Sequence, residues 1–82
     1  MKLLVNIFVP AVNVEFDILV PEDIKVRLLT LLVTKKIEEL TSKTYISSNG
    51  ETLCHEDKNI LLRQNTSLNK YGIKNGDRLI IV

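Results

Sequence analysis

The stretch from Leu68 to Val82 constrains what this chain can fold into more than any other. Leu68 and Ile73 read as two apolar plugs around a turn at Tyr71-Gly72. Asn75-Gly76-Asp77 reads as a second turn, where glycine tolerates the positive φ that a Cβ resists. Arg78 to Val82 is then a short β-rich run, suited to a strand buried in the middle of a sheet. The earlier chain must supply the neighbours of that strand.

The first such neighbour is legible at once. Leu3, Val5, Ile7 and Val9 fall on one face of an extended run, and Lys2, Leu4, Asn6 and Phe8 on the other. The purely aliphatic face is the core side. After a turn at Pro10-Ala11, Val14, Phe16, Ile18 and Val20 alternate with Glu15 and Asp17, which completes a hairpin. Pro21-Glu22-Asp23 closes the second strand and opens a helix, with Asp23 as the expected N-cap and both carboxylates at the positive end of the dipole. Lys35 and Lys36 lie towards its other end. Val26, Leu29, Val33, Ile37 and Leu40 form its apolar stripe, spaced three, four, four and three. A rival stripe of Ile24, Leu28 and Leu31 runs into Lys35 and Glu38 and loses.

Thr44 to Ser47 reads as a third strand and Ser48-Asn49-Gly50-Glu51 as a turn. Thr52 to Gln64 is the least legible part, with Leu53, Ile60, Leu61 and Leu62 expected in the core and one short strand between Lys58 and Leu62. The 82 residues show no repeat, linker or low-complexity segment, so one domain over residues 1–82 is expected.

Composition narrows the function classes. An apolar fraction of 45% is enough for one core and argues against disorder. Eleven basic residues against ten acidic ones leave a net charge of +1, so no basic field exists to hold a phosphate backbone. With two tyrosines, two phenylalanines and no tryptophan, a base-stacking platform is not available either. Cys54 is the only cysteine, so no internal disulfide forms, which fits a reducing compartment. The apolar start is interrupted by Asn6, Pro10 and Asn13, with no small-residue cleavage site after it. The uncharged run from Leu3 to Val14 is too short and too polar to span a bilayer. The expectation is a cytoplasmic protein without direct membrane insertion.

A sheet carrying one amphipathic helix buries that helix and one sheet face. If the first and last strands pair in parallel at the centre, the helix belongs to a right-handed crossover between them. The expected fold class is therefore α+β, a β-grasp with a mixed sheet of four to five strands and one amphipathic helix packed on one face.

This order, with the ending Leu68-x-x-Tyr71-Gly72-Ile73-x-x-Gly76-Asp77-x-Leu79-x-Ile81, resembles the ubiquitin-like superfamily. Together with Asp17-x-x-Val20-Pro21 and the helix stripe, it is similar more narrowly to the YukD/EsaB-type ubiquitin-like proteins that accompany type VII secretion systems in Gram-positive bacteria. The resemblance covers most of the chain and is poor from Thr52 to Gln64. Ubiquitin and the sulfur carriers end in a flexible Gly-Gly tail that an activating enzyme can thread. Here the sequence ends Leu79-Ile80-Ile81-Val82 within an expected strand, so conjugation and sulfur carriage are not expected. YukD-type proteins likewise lack that tail.

No residue constellation calls for catalysis, a metal or a cofactor. Cys54 and His55 are adjacent in extended chain and point to opposite faces, which leaves a semi-buried thiol beside a solvated imidazole. One Cys and one His would need two more ligands for a structural zinc. Glu22 with Asp23 is explained by helix-end electrostatics, and Glu15 with Asp17 by the solvent face of a strand.

Two apolar surfaces remain as candidate partner-binding sites. Leu4, Phe8, Ile80 and Tyr45, with Arg78 beside them, are expected on the outer sheet face, the face that the superfamily resemblance associates with docking. Leu28, Leu31 and Leu32 lie on or beside the back of the helix. They are either a second layer of core beneath Thr52–Gln64 or an interface for a homodimer or a larger partner. The resemblance implies a non-enzymatic interaction module whose partners are membrane or ATPase components of a secretion machine. The rival readings are a carrier activated at its C-terminus and a small chaperone- or antitoxin-like binding subunit.

Overall fold

Strands β1 (Lys2–Val9) and β2 (Val14–Pro21) form an antiparallel hairpin in register from Lys2 opposite Pro21 to Val9 opposite Val14. The computed structural model describes residues 1–42, 45 and 50–82. Helix α1 (Val26–Leu40) follows, then β3 (Leu53–His55), β4 (Ile60–Leu61), a 3-10 turn (Leu68–Tyr71) and β5 (Arg78–Ile81). The strand order is β2-β1-β5-β3-β4, a mixed five-stranded sheet. β1 and β5 pair in parallel near its middle, with Ile7 opposite Leu79. β5 pairs antiparallel with β3 on its other side.

Alternation decides what the core contains. Val5, Ile7, Val9, Leu53, Leu79 and Ile81 leave the sheet on one side and are buried there against Val26, Leu29, Val33 and Ile37 of α1. Full burial of side chains of this size contributes about 1.5–3 kcal/mol each. Leu68 and Ile73 are buried on either side of Gly72, whose φ of 65° takes the left-handed region. Gly76, at φ 87°, closes the turn before β5, and its N–H donates to Leu4 O at 2.8 Å. The two turns thereby seat β5 against β1.

Several sequence expectations need correction. Asp23 does not cap α1: β2 runs through Pro21, Glu22-Asp23 form a turn, and the cap position is Lys25. The reason is tertiary. The first helical N–H groups, of Val26 and Arg27, donate to the carbonyls of Thr66 and Gln64, so a distant loop replaces a side-chain cap. At the other end, Lys35 and Lys36 fall short of the last turn, and Leu40 is 48% exposed because the helix has run past the core. The third strand is Leu53–His55. Tyr45 is a bend, and the rest of the strand expected at Thr44–Ser47, with Ser48-Asn49 of the expected turn, lies outside the described residues. Ile60 and Leu61 are exposed, whereas Leu53 and Leu62 are buried. β4 is an edge strand whose two side chains alternate, Ile60 opposite His55 on the core side and Leu61 opposite Cys54 on the outer side.

Candidate docking surface

The outer sheet face can be read row by row, because residues aligned across a ladder point to the same side. Glu15 aligns with Phe8, Phe8 with Ile80, Ile80 with Cys54, and Cys54 with Leu61, so these five span the sheet from edge to edge. The next row is Asp17, Asn6 and Arg78, and beyond it lie Leu19 and Leu4.

Arg78 organises the middle of this face. Its Nε donates to Asn6 Oδ1 at 2.8 Å, and its Nη2 donates to Glu15 Oε2. Glu56 Oε2 lies 3.7 Å from Nε, and the guanidinium sits over the Phe8 ring at 5.2 Å from the centroid. Asn6 in turn donates its amide to Asp17 Oδ1 at 3.1 Å. A polar band fixed in this way divides two apolar spots. Leu4 and Leu19, 43% and 58% exposed, lie on one side, and Phe8, Ile80 and Leu61 on the other.

Of the residues expected here, the structure brings Leu4, Phe8, Arg78 and Ile80 together. Tyr45 is elsewhere. It packs against the core, and its hydroxyl donates to Glu51 Oε2 at 2.8 Å. Burial, and then the hydrogen bond to Glu51, push its hydroxyl up to about 12. Sequence reasoning missed Leu19 and Leu61. Leu19 carried a signal, an aliphatic residue at the parity of Glu15 and Asp17; Leu61 carried none.

Leu28, Leu31 and Leu32 are 50%, 56% and 42% exposed, so the second-core-layer reading is wrong: nothing from Thr52–Gln64 covers them. The expectation of a solvated imidazole at His55 is also overturned. His55 aligns with Leu79, on the core face, and is 2% exposed. Its Nδ1 accepts the Lys58 N–H at 3.1 Å, which places the proton on Nε2, 3.0 Å from Asp77 Oδ2. The same carboxylate oxygen accepts the Lys74 N–H at 2.9 Å. The hydrogen bond from His55, then that from Lys74, hold the Asp77 carboxyl below the usual carboxylate range. Cys54, one residue away, stands on the outer face, so the thiol and the imidazole cannot meet. Among the described residues, no three His, Cys, Asp or Glu side chains gather as a metal site.

A mixed five-stranded sheet with parallel first and last strands and one helix across it defines a ubiquitin-like β-grasp protein. Within that class, the chain belongs to the family described as "WXG100 protein secretion system (Wss), protein YukD", whose model matches residues 4–81. Among solved structures it is similar to a chain of the MycP5-free ESX-5 inner membrane complex, with TM-score 0.77 and 22% identity over 99% of this chain and 20% of that one. It is similar to the ubiquitin-like domain of the Mycobacterium tuberculosis type VII secretion system protein EccD1, with TM-score 0.76 and 14% identity over 100% and 98% of the two chains. The ubiquitin-like domain of Plasmodium falciparum Dsk2 matches with TM-score 0.74 and 21% identity, over 100% of each chain. At these identities the likeness is one of fold. No curated protein sequence matches the chain.

Proposed function

We propose that this protein is a non-catalytic docking module of a type VII secretion machine, and that its outer sheet face binds a membrane or ATPase component of that machine. The observation that carries the reading is the Arg78 band, with exposed Leu4 and Leu19 on one side and Leu61 on the other. An arginine held by Asn6 and Glu15 is already ordered, so less side-chain entropy is lost when a partner covers it. Apolar spots flanking a fixed polar centre suit a protein partner better than a small molecule, which needs a concave site. Family membership supports the secretion context. No helix among the described residues is long and apolar enough to cross a membrane.

Capture from native lysate tests this. Wild-type protein is expected to recover secretion-system membrane or ATPase subunits, and Leu4→Glu with Leu61→Glu to lose them by roughly tenfold or more. Recovery of an adenylating enzyme would point to a carrier, and of a single toxin or effector to a masking subunit. Either result would replace the docking reading.

A further inference from the structure

Among the described residues the edge of the sheet at β2 is unpaired, and its free groups can be enumerated. The Glu22 N–H donates to Met1 O at 3.0 Å, so in this antiparallel ladder the even-numbered residues of β2 turn N–H and C=O towards β1. Asn6, opposite Asp17, agrees: its N–H is turned the other way, to Asp77 O at 2.9 Å. Glu15, Asp17 and Leu19 therefore present N–H and C=O outwards. Pro21 ends the row at a position where a missing N–H costs the ladder nothing.

Both faces of this edge are incomplete. On the inner face Val14, Phe16 and Ile18 are only half-buried, whereas Val20 is buried. Phe16 and Ile18, packed against the core but only half-buried, thus leave apolar surface on the inner side of the free edge. On the outer face the edge is acidic. Glu15 and Asp17 stand on that face, Glu15 shared with Arg78, and Glu22 and Asp23 follow in the turn, while between Pro10 and Ile24 the chain carries no Lys or Arg.

We propose that β2 is a strand-addition site for an extended basic segment of a partner protein, alternating Lys or Arg on the outer side with aliphatic side chains on the inner side, beside Phe16 and Ile18. Main-chain pairing to Glu15, Asp17 and Leu19 supplies affinity, and the two faces supply register. A second copy of this chain is disfavoured, because two such edges set carboxylates against carboxylates. The inference deepens the docking reading and rests on it only for the existence of a protein partner.

The test is a titration of the ¹⁵N-labelled full chain with synthetic peptides of about ten residues, the length of a strand. A peptide alternating lysine with valine is expected to slow hydrogen exchange at the Glu15, Asp17 and Leu19 amides by roughly tenfold or more. Alternating glutamate with valine, or lysine with serine, is expected to leave them unchanged. Leu19→Pro removes one outward N–H without touching the β1 ladder and is expected to abolish the protection. Asp17→Lys, which stays informative should the proline variant fail to fold, is expected to transfer the preference to the glutamate–valine peptide. Unchanged exchange overturns the proposal. So does equal protection by lysine–serine, which would be charge attraction alone. Shifts confined to the outer face, or protection that grows with protein concentration without peptide, overturn it too, the last pointing to a second copy. If Leu19→Pro still captures secretion subunits at wild-type level, the edge proposal falls and the docking reading stands. If wild type captures none, the docking reading falls, while the peptide titration still reports on the edge.

Discussion

His55 Nε2 lies 3.0 Å from Asp77 Oδ2, and through this contact the core face of β3 is tied to the turn that launches β5. The pair is nearly enclosed on the histidine side; His55 Nδ1 accepts the Lys58 N–H, and Asp77 Oδ2 also accepts the Lys74 N–H. Asp77→Ala removes the acceptor for both His55 and Lys74. It is expected to cost about 1–3 kcal/mol, measured by urea denaturation at neutral pH.

The same contact fixes an acid limb. Asp77 is held below its ordinary value of 3.8, chiefly by the hydrogen bond from His55, so the unfolded chain binds that proton more readily than the folded one. Its stabilisation is complete above the unfolded value and is lost as pH falls through the lower folded one. Denaturation midpoints between neutral pH and strong acid are expected to fall more steeply for wild type than for Asp77→Asn in the acid range, with the two curves parallel near neutrality. Parallel curves throughout would remove the role assigned to this carboxylate.

Tyr45 has the opposite sign. Its hydroxyl is raised to about 12, first by burial, so the neutral form is favoured by folding. Stability from this site is present below the ordinary tyrosine range and is lost as pH rises through the folded value. In a phenolate absorbance titration, the difference between wild type and Tyr45→Phe is expected to be a transition displaced upwards. A Tyr45 transition at the ordinary value would contradict the contact with Glu51.

Helix α1 supplies a contrast between neighbouring leucines. Leu29 is fully buried and Leu31 is 56% exposed. Leu29→Ala is expected to cost about 2–5 kcal/mol, and Leu31→Glu to stay within about 0.5 kcal/mol of wild type. Urea midpoints for the two variants measure both. A strongly destabilised Leu31→Glu would return that residue to the core.

Gly76 tests the turn chemistry in isolation. A Cβ added there meets nothing within 4 Å, so the cost of Gly76→Ala comes from its φ of 87° alone. About 1–2 kcal/mol is expected, with Gly76→Asn losing less. Thermal or urea melts of the two variants give the ordering.

The parts of the fold legible in sequence are those where one local signal suffices. β1 and β2 have clean alternation, α1 has a countable stripe, and Gly72 and Gly76 mark turns that only glycine accepts readily. The expected cap at Asp23 failed because the first N–H groups of α1 are met by Gln64 and Thr66, some forty residues downstream in the sequence. β3 and β4 are three and two residues long, too short for a two-residue alternation to repeat and be read. Leu61 looked like core because composition cannot say that an edge strand turns it outwards. His55 looked solvated because its parity becomes known only once β3 is registered against Leu79. At the candidate surface, Leu4 and Phe8 follow from the parity of β1. The Arg78–Glu15 contact joins residues 63 apart and has no local signature.

The central claim, that the outer sheet face is the side held by a secretion-system protein, is tested most directly by site-specific photocrosslinking in cells that carry the native machine. A photoreactive residue placed at Leu4, and in a separate variant at Leu31 on the helix back, is followed by mass spectrometry of the adducts. The Leu4 probe is expected to capture a membrane or ATPase component of the type VII system, and the Leu31 probe to capture none. Adducts to that component from Leu31 alone, or none from Leu4, would contradict the claim.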